Sequence, residues 1–408
     1  MYDLVVIGSG AAGIMAAITA RTNGNSVLLL EQQNKIAPKL KATGGGRCNL
    51  TNTLSNTEFM SHFGKNGRFM RDALDNFDYK KLTSFMSTIG VPTYAPDGFR
   101  IFPTSHSSQT IIDALLEYMN DIGVEIKCSE KVIDIISKNS IISYVQTTNN
   151  NYDCKNIIIA SGGKGYESLG ASGDGYKFAK KLGHKVTSLY PAMMPLFTKD
   201  RWVAPCTADT VPKVFMYVDI KKYKKLNACG DLIFTKKGIR GPVVLDFARE
   251  ITPLFDKYEE IPLKMNMIKG KNEDDLIKFL KEESIKNPQN TVLEHLEKIL
   301  AKSIVLQLAQ LVDIDCEVTY KNLKGNQKSD FIKILCDTPL TISGHDGFRL
   351  AMITRGGISL KEITPSTMKS KIINGLYFCG EIIDIDGPCG GYNLQWAFAS
   401  GYLAGNLR

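Results

Sequence analysis

The sequence predicts an α/β protein of two parts: a parallel-sheet domain assembled from both ends of the chain, and a β-rich and helical segment inserted between them. Three observations predict it. Residues 1–31 read as strand, glycine loop, helix and strand. Residues 375–408 read as strand, glycine turn and helix. Beyond Pro191 the texture shifts to Val, Tyr, Thr and Pro broken by Lys-Asn-Gly turns.

The bulk composition fits that plan. A chain of 408 residues is long enough for two or three domains. Its 43% apolar and 23% charged residues describe an ordinary globular protein, neither disordered nor membrane-embedded. The net charge of +8 is compatible with anionic ligands, nucleic acid included, and identifies none. The nine cysteines form neither CxxC pairs nor a Cys/His cluster, so they read as free thiols in a reducing compartment, with no metal site. No run approaches the ~20 apolar residues of a membrane span. The N-terminus lacks a basic region ahead of its apolar stretch, which Gly8, Gly10 and Gly13 interrupt. A cytoplasmic protein without membrane contact is expected.

Leu4-Val5-Val6-Ile7 is a short apolar run bounded by glycine, as a buried parallel strand should be. Gly8-Ser9-Gly10-Ala11-Ala12-Gly13 follows, then a small-residue helix from Ile14 to Arg21. A second apolar run, Ser26 to Leu30, ends in Glu31. This is the strand–GxGxxG–helix–strand–acid unit of a Rossmann dinucleotide-binding domain. Gly8 permits the tight turn, Gly10 lets a pyrophosphate approach the backbone, and Gly13 lets helix and sheet pack closely. Ala11 and Ala12 open the helix whose N-terminus faces the phosphates. Glu31 is placed to accept hydrogen bonds from a ribose and would repel a 2′-phosphate. The unit alone does not separate FAD from NAD.

A plain NAD domain would continue with another βα unit. Instead the chain runs through Lys39 into Thr43-Gly44-Gly45-Gly46-Arg47-Cys48-Asn49-Leu50-Thr51-Asn52. Three glycines make a poor element interior and a good backbone wrap around a flat or anionic ligand, and Arg47 adds a planar, permanent charge. The loop suits a second stretch of the same dinucleotide; a flexible surface loop is the alternative. KATGGGRCNLTN, together with GLYFCGEIIDIDGPCGGYNLQWAFASGYLAG near the C-terminus, resembles the aminoacetone-oxidase-like family of FAD-dependent oxidoreductases. Ala160-Ser161-Gly162-Gly163, Ser172-Gly173-Asp174-Gly175-Tyr176, Pro191 to Leu196 and Thr354-Arg355-Gly356-Gly357-Ile358 fall between them in the family's order. The resemblance implies the glutathione-reductase-type FAD fold with an inserted domain. It also implies noncovalent FAD held by Lys39, Thr43, Gly44, Gly45, Gly46, Arg47, Cys48, Asn49, Ser161 and Gly162 as well as the first unit. Lys236 and Arg240 stand where relatives usually carry His and Ser, so any role of that histidine is not carried over.

Gly375 to Glu381 reads as a final buried strand stopped by glycine, returning beside the first. Gly380, Glu381 and Asp384 would then face ribityl hydroxyls. Gly390 and Gly391 would aim helix N–H groups at the flavin pyrimidine edge, with Tyr392 and Asn393 beside them. Trp396 is expected to pack its helix. Cys389 and Cys48 are expected to be structural.

A helix is expected from Ile111 to Met119 and a strand from Val124 to Lys127. Val132–Ile136, Ile141–Thr147 and Tyr152–Cys154 should form a three-stranded meander, with Ile157–Ala160 a separate sheet strand and Val132 the backbone contact to adenine. A helix from Gly175 to Leu182 closes the first part. Trp202 to Asp246 should be β, and Asp274–Lys281 and Thr291–Leu311 helical, before Leu335 to Ile342 leads back. The boundaries are 1–190 and 344–408 for the FAD domain and 191–343 for an insertion that shapes the substrate pocket.

The expected function is hydride transfer between flavin N5 and a small organic substrate, by amine oxidation or by reduction of an activated double bond. An RNA-modifying flavoprotein and a flavin-bound redox sensor are the alternatives; the mixed charges of the inserted helices disfavour nucleic acid. Gly162-Gly163-Lys164-Gly165 and Gly173-Asp174-Gly175 lack the context of a second dinucleotide clamp, so NAD(P)H would serve as a transient reductant only. The histidines form no triad, and no catalytic residue is assigned.

Overall fold

In the computed structural model, which describes residues 1–408, the first apolar run forms β1 (Tyr2–Ile7), followed by α1 (Ala11–Thr22) and β2 (Val27–Leu30). β1 and β2 pair in parallel, Leu4 with Val27 through Ile7 with Leu30. α1 is buried from Ala11 to Ala20, so it has no polar face and belongs between layers. A Cβ on Gly13 would lie 1.9 Å from the Gly8 carbonyl oxygen, so glycine there locks the helix start onto the loop.

Next comes α2 (Pro38–Ala42), and the triple glycine folds as a short 3₁₀ turn with Gly44 and Gly45 left-handed at φ 57° and 65°. β3 (Thr51–Asn52), α3 (Asn56–Ser61), α4 (Arg71–Asn76), α5 (Tyr79–Thr88), β4 (Thr93–Tyr94) and β5 (Arg100–Pro103) follow. The three short strands make an antiparallel sheet in the order β3-β5-β4. α6 (Ser108–Asp121) leads to β6 (Glu125–Lys127), which extends the main sheet beside β2.

β7 (Val132–Lys138) and β8 (Ile141–Thr147) form the expected meander, but its third strand and the following sheet strand are one element, β9 (Asn151–Ile159). Lys155-Asn156 is no turn, so the chain stays extended. The first half of β9 pairs antiparallel with β8, and its second half runs parallel to β1. α7 (Asp174–Lys181) and β10 (Tyr190–Ala192) complete this part.

Ala192–Leu350 forms a compact unit of its own. β11 (Leu196–Thr198), β12 (Thr210–Val218), β13 (Asn227–Thr235), β14 (Gly238–Arg240), α8 (Pro242–Ile251), β15 (Ile261–Asn266), α9 (Glu273–Lys286), α10 (Val292–Leu296), α11 (Lys302–Leu311), α12 (Gly325–Cys336) and β16 (Thr338–His345) succeed one another. The strands close a barrel in the order β11-β14-β13-β12-β15-β16, filled by alternating residues such as Val214, Met216 and Val218 of β12 and Ile261, Leu263 and Met265 of β15. Three expectations are corrected here. Pro242 to Asp246 is helix rather than strand: Pro242 opens it, and Val243, Val244, Phe247, Ala248 and Ile251 bury one face. Thr291–Leu311 is two helices, because the chain extends at Ala301 and restarts so that Ile304, Val305 and Leu308 are buried. β16 runs to His345 paired with β11 and β15, so the first unit resumes at Ala351 and not at Gly344.

The returning chain forms β17 (Ile353–Arg355), paired with β10, then β18 (Leu376–Phe378) and α13 (Tyr392–Gly405). β18 lies beside β9, not beside β1 as its sequence suggests, since β2 and β9 already occupy both edges of β1. α13 packs on α1 at backbone distance: a Cβ on Gly401 or Gly405 would lie 2.2 or 2.5 Å from the carbonyl oxygens of Ala12 and Ala16. No helix is long and apolar enough to cross a membrane.

Candidate cofactor-binding site

Ile7, Ile159 and Phe378 stand in register at the carboxyl ends of β1, β9 and β18. The loops that leave them, Gly8–Gly10, Ala160–Gly162 and Gly380–Glu381, line one cavity, all of whose residues lie in the first unit. Its empty space, counting the open mouth, is about 1240 Å³.

One end of the cavity is built for phosphate. Gly10 caps α1 without a side-chain hydrogen bond, and no acid stands in the first turn. Ala11 and Ala12 line the cavity, and a Cβ on Gly10 would meet nothing within 4 Å. The helix therefore presents its first N–H groups to open space, a placement that favours an anion by about 0.3–1 kcal/mol.

Charged groups ring the cavity. The buried Glu31 accepts from the Ser9 amide at 3.0 Å and from the Ser9 hydroxyl on Oε2, and from the Gln33 amide on Oε1 at 2.8 Å. A carboxylate offers about four acceptor sites, so one remains on Oε1. Lys39 is the only cation of the lining; its Nζ donates to Glu381 Oε2 at 2.8 Å. The other Glu381 oxygen accepts from the Thr354 amide at 2.8 Å, and a Cβ on Gly163 would come within 2.4 Å of it. Burial pushes the Glu130 carboxyl up, yet hydrogen bonds from Asn149, Thr147, Asn150 and Tyr152 outweigh it and hold the carboxyl below its ordinary value. Asp174 is likewise held low, burial being outweighed by Lys177, Ser172 and Lys131.

Of the residues singled out in the sequence, Gly8, Gly10, Ala11, Ala12, Glu31, Lys39, Thr43, Val132, Ser161, Gly162, Gly380, Glu381 and Asn393 line this cavity. Gly13 packs behind it. Gly44, Gly45, Gly46, Cys48, Asn49, Asp384, Gly390, Gly391 and Tyr392 do not line it; several instead join the two end motifs. Asn52 Nδ2 donates to the Gly390 carbonyl at 2.9 Å. With its amide oriented to suit its neighbours, Asn49 accepts from the Gly391 N–H at 3.2 Å and donates to the Thr51 carbonyl at 3.1 Å. The Asn393 amide braces its own turn through Gly387. Tyr392 is buried against Phe59 and His62, with ring centroids 5.0 and 4.8 Å away. Trp396 is buried and donates to the Gly380 carbonyl at 3.2 Å, as a packing residue.

Arg47 lies outside the lining and is exposed, its guanidinium carbon 5.8 Å from the centroid of the Phe102 ring. Asp384 is half-buried, with its carboxyl raised by burial and by Asp386. Cys48 is buried and its thiol pushed up to about 11. In the second unit, Lys236 sits at the β13–β14 turn and Arg240 at the end of β14, both exposed. Sequence reasoning missed Glu130, Gly170, Ala171, Ser172, Asp174 and Met352 as lining residues. The signal for Ser172 and Asp174 lay in the Ser-Gly-Asp-Gly-Tyr segment; nothing local marks Glu130 or Met352.

The family model described as the HI0933-like protein Rossmann domain matches residues 2–407. The chain is 32% identical to a 3-dehydro-bile acid delta(4,6)-reductase of Clostridium scindens, covering 99% of this chain and 98% of that protein. It is 29% identical to a ribosomal RNA dihydrouridine synthase of Escherichia coli K12, covering 98% and 96%. A solved structure of a 3-ketosteroid-delta4-(5alpha)-dehydrogenase from Rhodococcus jostii RHA1 superposes with a TM-score of 0.51 at 15% identity, covering 99% and 96%, a likeness of fold.

Proposed function

The chain belongs to the HI0933-like family, and from that premise we propose that it is an FAD-dependent oxidoreductase that reduces a polarised carbon–carbon double bond. The observation that carries the cofactor is the uncapped start of α1, opening with Gly10 into a cavity that Glu31 and Lys39 also line. The residues fit FAD. The α1 amides and Lys39 would hold the pyrophosphate, Glu31 would offer its remaining acceptor site to the adenosine ribose, and the backbone at Val132 would contact the adenine. Glu381, fixed by Thr354 and by the absence of a side chain at Gly163, would accept from the ribityl chain. FAD, when bound, supplies two-electron chemistry, passing a hydride to carbon.

The direction is supported by the relatives. One is named a delta(4,6)-reductase, the other a dihydrouridine synthase. Both names describe adding two hydrogens across a double bond next to a carbonyl group. Amine oxidation, the activity that the aminoacetone-oxidase resemblance suggests, is the reverse type of step and has no such support. Anaerobic photoreduction followed by reoxidation against enones, imines, quinones and oxygen tests the reading. Fast reoxidation by enones is expected; preference for oxygen with an amine as donor would overturn it. A second reading, that the double bond belongs to a uracil in RNA, is favoured by the dihydrouridine synthase relative and by the +8 charge. RNA retained by the purified protein at moderate salt is its test.

A further inference from the structure

Arg47 does not line the cofactor cavity, and the position it does occupy has its own logic. Its guanidinium lies 5.8 Å from the Phe102 centroid, and that of Arg100 lies 6.0 Å from the same centroid. Both side chains are exposed. At such distances a ring face holds a guanidinium weakly and pre-orients its planar fork. Phe102 sits in β5 in register with Tyr94 of β4, whose hydroxyl is 3.1 Å from His106 Nδ1. A Cβ on Gly44 would stand 3.8 Å from the Phe102 ring, so the triple-glycine loop lies directly against this platform. Thr43, one residue earlier, lines the cofactor cavity.

The charges on the platform do not balance. Arg100 is paired through Nε to Asp97 at 2.7 Å, which leaves its terminal nitrogens. Arg47 makes no ion pair. Two guanidiniums stand over one ring and only that of Arg100 has a carboxylate partner, next to the triple-glycine loop. Arg–carboxylate and Arg–phosphate contacts are the geometry such forks fit.

We propose that Arg47 and Arg100, carried on Phe102, form the subsite that binds an oxyanion of the substrate, a carboxylate or a phosphate, while its double bond reaches the flavin. The inference rests on the reductase reading for what happens to the substrate, but not for the binding itself. The subsite makes Arg47 a specificity residue rather than a cofactor ligand.

The test separates the two ideas. Oxidised, FAD-loaded protein is titrated calorimetrically with a cyclic enone bearing a carboxylate and with its methyl ester. In a second arm a uridine-containing oligoribonucleotide is compared with uridine. Tighter binding of the acid than of its ester, by about tenfold or more, is expected for a lost charge-assisted pair. R47M and R100M should each abolish that preference while retaining stoichiometric FAD by absorbance, and R47K should restore it in part. If only the oligonucleotide discriminates, against uridine and in the same Arg-dependent way, the oxyanion is a phosphate. Acid and ester bound alike, together with oligonucleotide and nucleoside bound alike, would overturn the proposal. So would a preference that survives both substitutions. Reoxidation of the photoreduced protein by the same compounds is scored separately: binding with Arg-dependent preference but no reoxidation keeps the subsite and overturns the reductase reading.

Discussion

Gly10 and Gly13 belong to one fingerprint, yet their surroundings differ, and substitution should separate them. A Cβ on Gly13 would lie 1.9 Å from a backbone oxygen, so G13A must push α1 off the loop, at a cost of about 1–3 kcal/mol. Gly10 has an ordinary φ of −71° and no neighbour within 4 Å of its Cβ direction. G10A should therefore melt like the wild-type apoprotein and fail to hold FAD, because its methyl group enters the space the pyrophosphate needs. Thermal melts and flavin stoichiometry decide it; a G10A protein that retains FAD normally would show that the phosphates lie elsewhere. Cys48 illustrates the opposite lesson. Its neighbours in sequence suggest the cofactor, but its thiol is buried, left-handed at φ 58° and pushed up to about 11, so it stays protonated at neutral pH. C48S should keep its flavin, and a thiol reagent on the native protein should reach the exposed Cys229 well before Cys48. Arg47 and Cys48 were adjacent letters in a motif; only the burial of one and the exposure of the other assign them separate roles.

Elements with a strong period or a glycine boundary were legible in the sequence: β1, α1, β2, α6 and α7 lie within a few residues of where the apolar runs place them. What escaped was set by contacts distant in sequence. β9 is one strand because β8 and β1 hold its two halves, and β18 sits beside β9 because β1 has no free edge. Helices α3 and α4 are too short for periodicity to show. The same holds for Glu130, which no local pattern marks and which ties the meander together. Its carboxylate accepts from Thr147 and Asn149 at the β8–β9 turn and from Tyr152 of β9. Because those bonds hold its folded pKa below the ordinary 4.5, the stabilisation is fully present above about that pH. It is lost as pH falls through the lower folded value. E130Q should accordingly be less stable than wild type at pH 7, with the gap in urea midpoints closing as pH falls below 4.5. A gap that is constant with pH would mean that Glu130 acts by shape and not by charge.

For the whole molecule, the two units divide the chemistry of the chain. Every residue of the cofactor cavity lies in the first unit, and β10 and β17, the strands at its two interrupted ends, pair with each other. Replacing residues 193–350 by a short Gly/Ser linker should leave a folded protein that still carries FAD in one-to-one ratio; loss of flavin on excision would show that the barrel unit holds part of the cofactor. The same division bears on nicotinamide. A dinucleotide clamp needs parallel strands joined through a helix, with a glycine loop at the crossover. The strands β6, β2, β1, β9 and β18 pair in parallel in the main sheet of the first unit. The second unit pairs its strands antiparallel throughout the barrel, and the two helices that follow strands, α8 and α9, lack a glycine fingerprint. In the first unit only α1 follows a parallel strand through a GxGxxG loop, and that is the site proposed for FAD. NADH and NADPH would then reach the flavin only as any small reductant does, without a site for their adenosine half. Glu31 would not distinguish them if it holds the FAD ribose, as proposed. Anaerobic stopped-flow reduction should therefore be slow, should rise almost linearly with coenzyme concentration, and should differ little between the two. Fast reduction that saturates at micromolar concentration, with a strong preference for the 2′-phosphate or against it, would place a second adenosine site in a unit whose strands run the wrong way for one.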